Sequence, residues 1–388
     1  MKIGEVHLNP RNFSVFVIII MLSIQMTPSS NAENVLATIT DKPEARGAHS
    51  MAFDPHNGVA VIFGGYAMNG GWHSLGDTWV YSYTENSWSE LILTPSPSAR
   101  SNHAMVYCNE TDEIILYGGQ GPAGGLTETW SFACDTQTWS QVVTSTNPGV
   151  HHSLALAYDS QQNAVVLFGG FGEDGMERDD IWKFDCDTRD WMELSPATSP
   201  LARYGHVMVY DEAINRIVMT SGNTASQGHQ DDTWTFEVAT GNWTELSPTA
   251  NPDRLKWPSM TYDSVNQKCI LFGGQIGDTA VDRTWVYDAL MNTWTRRYPT
   301  TAPTSRINTG LAFDSVNNVT ILFGGANVEI QTMEDTWTYS YEENVWTEMV
   351  ESAPTVPNGP GFDPLMLVLI LPIAAALIVV VLVIRRRA

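Results

Sequence analysis

Two tryptophans set nine residues apart recur six times along the chain. The leading members are Trp79, Trp130, Trp182, Trp234, Trp285 and Trp337, with steps of 51 or 52 residues, and the trailing members are Trp88, Trp139, Trp191, Trp243, Trp294 and Trp346. Upstream of each pair stands a double glycine, Gly64-Gly65, Gly118-Gly119, Gly169-Gly170, Gly273-Gly274 and Gly324-Gly325, with Ser221-Gly222 as the one departure. Self-similarity at such a period selects a repeat architecture in which each unit buries its apolar face against the next. Twelve of the 14 tryptophans are structural by position, and only Trp72 and Trp257 are left over.

Each unit reads as four short strands. The first alternates, as in HSMAFD (49–54) and HVMVYD (206–211), and a turn such as Asn57-Gly58 follows. The second is a continuous apolar run, VAVIFGG or AVVLFGG, the composition of a strand covered on both faces. Its closing glycines suit a bend with positive φ or a close backbone approach. A loop of variable length leads to a third strand, DTWVYSY or DTWTFEV, and a tight turn to a fourth, SWSELIL or NWTELSP. A tryptophan buries about 150–250 Å², which suits sheets that pack face to face. The expected fold is an all-β, six-bladed propeller of four-stranded antiparallel blades.

The double glycine, the aromatic strand and the tryptophan pair resemble the kelch repeat over residues 46–350. The blade units fall at about 46–95, 96–147, 148–199, 200–251, 252–302 and 303–350. Residues 33–45 form a lead-in whose NVLATITDK resembles a degenerate fourth strand, either pairing at the edge of the last blade or a vestige.

Both ends of the chain suggest a compartment. Lys2 and Arg11 precede the apolar FSVFVIIIML (13–22), and Ser30-Asn31-Ala32 supplies a small-x-Ala pattern, so residues 1–32 read as a secretory signal peptide, with an uncleaved anchor as the rival. Residues 364–384 include twenty uncharged positions, enough to cross a bilayer core of about 30 Å. The basic tail 385–388 then places the C-terminus in the cytoplasm and the propeller outside the cell. Residues 351–363, with three prolines and no apolar period, read as an extended stalk. The expected location is a single-pass cell-membrane protein.

Charge bears on partners. Of 20 Lys+Arg and 43 Asp+Glu, 15 and 42 lie between residues 33 and 384, a surface that repels phosphate backbones and excludes nucleic acid. The EDGMERDD loop (173–180) offers carboxylates to Ca²⁺ but lacks EF-hand spacing and reads as a solvated loop. Neither a metal-ligand set nor a cofactor motif stands out, and no thiol is placed as a copper-radical oxidase would need. Of the four cysteines, Cys134 and Cys186 occupy equivalent points of neighbouring units, too far apart to bridge, Cys269 lies in a buried strand, and Cys108 with Cys134 is the conceivable pair. One disulfide at most is expected. Sequons at Asn109, Asn242 and Asn318 are glycosylation candidates.

In this topology the loops between the fourth strand and the next first strand share one face with the loops between second and third strands. The former carry a second periodic signal: Arg46, Arg100, Arg203 and Arg306 at one repeat position, with His49, His103 and His206 three residues on. His151 stands near that position in the third unit, and Arg254 is offset by one in the fifth. Arginines beside a narrow channel can hydrogen-bond carbonyls of neighbouring blades, and such histidines can be core residues. The kelch resemblance implies the contrary, since kelch adaptor domains use arginines at this position to grip acidic peptides, and Arg is shaped for bidentate capture of carboxylates. Trp72 and Trp257 fall on the same face. Together these ten residues make an expected binding site for an anionic protein or glycan ligand. The alternatives are a secreted enzyme resembling the kelch sialate mutarotases, for which no nucleophile or carboxylate dyad can be picked out, and a structural coat protein.

Overall fold

The computed structural model describes residues 42–350; the signal peptide, lead-in strand, stalk and membrane helix read from the sequence lie outside them. Among the described residues no helix is long and apolar enough to cross a membrane. Six antiparallel sheets follow one another, each with its strands A to D in spatial order. Strands A are Ser50–Asp54, Ala104–Cys108, Ala155–Asp159, Tyr204–Asp211, Ser259–Asp263 and Gly310–Asp314. Strands B are Val59–Phe63, Glu113–Tyr117, Ala164–Phe168, Arg216–Thr224, Lys268–Phe272 and Val319–Phe323. Strands C are Thr78–Ser82, Thr129–Ala133, Ile181–Asp185, Thr233–Glu237, Thr284–Asp288 and Thr336–Ser340, and strands D are Ser87–Leu91, Thr138–Val142, Asp190–Leu194, Asn242–Leu246, Thr293–Arg297 and Val345–Glu348.

Each strand A lies beside the strand A of the next blade, and that of blade 6 beside that of blade 1, so the six sheets close a ring. Six hydrophobic clusters each straddle one pair of adjacent blades, including Met51, Phe53 and Trp79 with Ala312, Ile321 and Phe323 across the last seam. All four strands of blades 1 and 6 come from within the described residues.

The two tryptophans of each pair have different tasks. The trailing indole N–H crosses the seam to the threonine that opens strand C of the preceding blade: Trp88 to Thr336 (3.0 Å), Trp139 to Thr78 (3.0 Å), Trp191 to Thr129 (2.8 Å), Trp294 to Thr233 (3.0 Å) and Trp346 to Thr284 (2.9 Å). In blade 4 the partner position is Ile181, and Trp243 Nε1 is buried without a partner. Five of the leading indoles instead bond within their own blades, as described below, and Trp130 Nε1 is buried without a partner.

Removing the acceptor from one seam isolates this contact. Thr129→Val, close to isosteric, leaves the Trp191 indole buried and unpaired, which should destabilise by about 1–3 kcal/mol. Trp191→Ala should cost about 3–5 kcal/mol, while Trp72→Ala, at a side chain 53% exposed, should cost far less. Denaturant midpoints read all three, and equal effects of Trp191→Ala and Trp72→Ala would contradict the division.

Candidate functional site

The double glycine explains how the loops of the binding face are held. The N–H of its second residue donates to the carbonyl at the arginine position of the next blade: Gly65 to Arg100 (2.8 Å), Gly119 to His151 (2.9 Å), Gly170 to Arg203 (2.8 Å), Gly222 to Leu255 (2.8 Å), Gly274 to Arg306 (2.9 Å) and Gly325 to Arg46 (2.8 Å). That carbonyl comes so close that a Cβ on the first residue would stand 2.6 Å from it at Gly64 and 2.7 Å at Gly169. Both positions have positive φ, which favours glycine on steric and conformational grounds, and in blade 4 Ser221 adopts the first of them at φ 67°.

From the same position the side chain reaches into its own blade. Arg46 donates to the Gly64 carbonyl (3.0 Å) and, bidentately, to Asp77 (2.8 and 2.7 Å). Arg203 does the same with Ser221 and Asp232, and Arg306 with Gly324 and Asp335. Arg100 reaches Gly118 and the longer Glu128. In blade 3 His151 takes the place, with its Nδ1 2.9 Å from the Gly169 carbonyl and Nε2 3.4 Å from Asp180. Blade 5 reverses the charges: Leu255 is buried where the arginine would be, Arg283 stands at the acid position, and it pairs with Asp253. The leading tryptophans hold these carboxylates, Trp79 on Asp77, Trp182 on Asp180, Trp234 on Asp232, Trp285 on Asp253 and Trp337 on Asp335.

All four arginines are fully buried. The anion-gripping role expected of Arg46, Arg100, Arg203 and Arg306 is therefore corrected: their forks are already spent on internal carboxylates and carbonyls, and each fastens one blade to the next. Burial raises the Asp77 and Asp335 carboxyls, but hydrogen bonds and charge from Arg46 and Arg306 outweigh it and hold both below the ordinary carboxylate value. Arg254, the offset member, is exposed and lies 3.4 Å from Asp231.

The histidines are corrected likewise. His49, His103 and His206 are buried in the seams, edge-on to Phe323, Phe63 and Phe168 of the preceding blades. Burial, then the charge of Arg46 or Arg203, pushes His49 and His206 down to about 3, and His103 is lowered for the same reasons with Arg100. They are neutral packing residues.

Just inside this layer a backbone belt rings the channel mouth. Ala48, Asn102, Ser153, Gly205, Trp257 and Asn308, one per blade and all with positive φ, pass a hydrogen bond from N–H to the preceding carbonyl around the whole circle, in bonds of 2.8–3.2 Å. Trp257 is thus a belt residue. Its ring covers Gly205, where a Cβ would come 2.5 Å from Cδ1, and carries Lys256 Nζ 4.5 Å above it. Within the ring a cavity of about 190 Å³ touches His49, His103, His206 and Trp257, and a second of about 410 Å³ lies further along the axis, among Phe53, Tyr107, Tyr158, Tyr210, Tyr262 and Phe313.

What the face does present comes from the B–C loops. Met68, Trp72, Met176, Val328 and Ile330 are exposed there, with Trp72 stacked on Tyr66. A partly buried arc of His152, Phe171, Tyr204 and Trp257 runs along blades 3 to 5. Carboxylates surround these groups, including exposed Glu173, Asp179, Asp278, Asp282 and Glu329. Single-residue exposures of this kind have no periodic signature, which is why the sequence showed only Trp72 and Trp257.

The one group of potential metal donors among the described residues, Asp54, Asp112 and Cys134, sits on the opposite face. Asp54 is engaged with Asn57 and Asp112 with Tyr107 and His56, which makes it turn chemistry. Cys108 and Cys134, the pair that the sequence left conceivable, are not brought together: Cys134 lies against Asp54, and Cys108 against Cys186. Of the sequon residues, Asn109 and Asn242 are exposed and Asn318 is partly buried.

The family model described as the KLHDC2/KLHL20/DRC7 Kelch-repeats domain matches residues 22–199 and 151–362. Among curated proteins, the chain is 29% identical over 228 residues to the human multiple epidermal growth factor-like domains protein 8, covering 56% of this chain and 7% of that protein. It is 26% identical over 233 residues to Adagio protein 3 of Arabidopsis thaliana, covering 56% of this chain and 36% of that one. The chain thus spans a minor part of either relative.

The buried groups predict the response to pH. His49 and His206 titrate near 6.5 when unfolded and near 3 when folded, so below 6.5 the unfolded chain binds protons that the native one does not. Their contribution to stability is complete above about pH 6.5 and is lost as pH falls toward 3. A His49→Leu, His206→Leu double variant should flatten the fall of melting temperature between pH 6.5 and 4.5; an unchanged slope would contradict the assignment. Arg203→Ala should destabilise by about 3 kcal/mol by stranding Asp232, measured by denaturant unfolding.

Proposed function

We propose, from the premise that this chain belongs to the kelch-repeat β-propeller family, that it is a recognition module which binds a protein ligand through the face built by its D–A and B–C loops. Kelch propellers generally mediate protein binding, and the observation that carries the reading here is the set of exposed apolar side chains on that face. Met68 and Trp72 in blade 1, Met176 in blade 3, and Val328 and Ile330 in blade 6 stand on loops held from below by the arginine locks and the backbone belt. Apolar anchors on rigid supports, rimmed by polar groups, are what a protein interface requires.

The preference for an anionic ligand is not retained. Its carriers are buried and neutralised, and the exposed rim is predominantly carboxylate. The signal peptide, stalk, apolar segment and arginine tail read from the sequence support a propeller held outside the cell on a single span, where such a module would meet ligands carried by neighbouring surfaces. Glycan binding keeps one point in its favour, the exposed indole of Trp72 backed by Tyr66.

A photo-crosslinking residue placed in turn at Trp72, Met176 and Ile330, in the full chain on its native cells, should give protein adducts of discrete mass. The same residue at Val265, exposed on the opposite face, should give none. Equal adducts from both faces would refute the site, and adducts that vanish on deglycosylation would favour the glycan reading. For a captured partner, Trp72→Ala should weaken binding by about 2 kcal/mol with melting unchanged.

A further inference from the structure

In five blades strand A ends in aspartate, and the carboxylate caps the A–B turn: Asp54 accepts from the Asn57 amide, Asp159 from Gln161 and Gln162, Asp211 from Ala213, Asp263 from Asn266 and Asp314 from Val316 and Asn317. Blade 2 gives up the cap and ends in Cys108. The residue that follows strand C in the next blade packs on this position. In blade 2 that residue is Cys134, against Asp54 of blade 1; in blade 3 it is Cys186, against Cys108 of blade 2. Their anchoring is equivalent, with the Cys134 N–H donating to Asp112 and the Cys186 N–H to Asn163, both at 3.1 Å. So the one blade that departs from aspartate places a thiol where the neighbour also supplies one. The two sulfurs are 4.0 Å apart, with Cys108 fully buried and Cys186 5% exposed.

We propose that Cys108 and Cys186 form a disulfide that staples blade 2 to blade 3. A bond of about 2.05 Å requires each sulfur to move about 1 Å toward the other, within reach of side-chain rotation because both thiols already point into the same seam. The oxidant is a disulfide-bearing thiol carrier. One cysteine thiolate attacks it, giving a mixed disulfide and releasing one carrier thiol; the second cysteine displaces the other carrier thiol as the protein disulfide closes. Two protons and two electrons leave the protein and convert the carrier disulfide into two thiols. Cys134 and Cys269 stay reduced, since each faces a carboxylate, Asp54 and Asp211, with Cys269 Sγ 3.6 Å from Asp211 Oδ2. Burial pushes the Cys108 thiol well up, so the exchange proceeds as the seam forms or opens, and slowly once it has closed. The bond would join positions 78 residues apart, a long loop to remove from the unfolded ensemble.

Full-length protein unfolded and refolded in the presence of oxidised glutathione, then alkylated in denaturant without reductant and digested, decides the matter. The expected result is one linked peptide pair containing Cys108 and Cys186, alkylated Cys134 and Cys269, and a melting temperature that falls when reductant is added. Cys186→Ser should abolish both the linked pair and the reductant effect, whereas a Cys134→Ala, Cys269→Ala variant should retain both. Four alkylated cysteines in the wild type after this treatment, or a link from Cys108 to Cys134, would overturn the proposal; because the wild-type map decides it, the test survives a variant that fails to fold.

Discussion

The approach of one backbone to the next at the double glycine sets the geometry of every seam. A carbonyl from the following blade comes within hydrogen-bonding reach of the second glycine, and in five blades it leaves no room for a Cβ at the first residue, while blade 4 keeps the same contact with Ser221 there. Once that contact is made, neighbouring strands A are brought side by side and the apolar faces of strands B and C are aligned to form the six inter-blade clusters. The trailing tryptophan then meets its threonine. Because the seam from blade 6 to blade 1 repeats these contacts, with Gly325 on Arg46 and Trp88 on Thr336, the ring closes as a sequence of like joints.

Arginine serves these joints because one residue must act in two directions. Its main chain binds the preceding blade while its side chain, extended through the interior, reaches a carbonyl 18 residues on and a carboxylate about 30 residues on. A buried guanidinium is tolerated when its donors are matched by a carboxylate and carbonyls. Blade 5 shows the requirement from the other side: with Leu255 at the arginine position, the acid position has become Arg283 and its partner Asp253, so no carboxylate is stranded. Neutralisation inside leaves the uncompensated carboxylates of the B–C loops to set the character of the face.

Much of this was legible in the sequence. The period of the tryptophan pairs gave the number of blades, and the glycine pairs gave the bend after strand B, because both depend on residues that few others can replace. The fate of the arginines was less visible, since their partners lie far along the chain. A signal existed nonetheless: an acid stands two residues before the leading tryptophan at Asp77, Glu128, Asp180, Asp232 and Asp335, in phase with the basic position, and both lapse together in blade 5. A periodic acid in phase with a periodic base marks an internal pair. The threonine before each leading tryptophan and its loss at Ile181 could be read in the same way, once the seam is known to bring strand C against the next strand D. The exposed anchors are different in kind, because Met176 or Ile330 is distinguished only by what the loop leaves uncovered.

Hydrogen exchange at the seams tests the account most directly. If each seam is an equivalent joint and the described propeller closes on itself, the amides of Gly65, Gly119, Gly170, Gly222, Gly274 and Gly325 should all exchange slowly, through global unfolding and with one common free energy. Rapid exchange at Gly325 and Ala48, with the other five seams protected, would show that the last joint opens on its own, and would contradict closure by the contacts described.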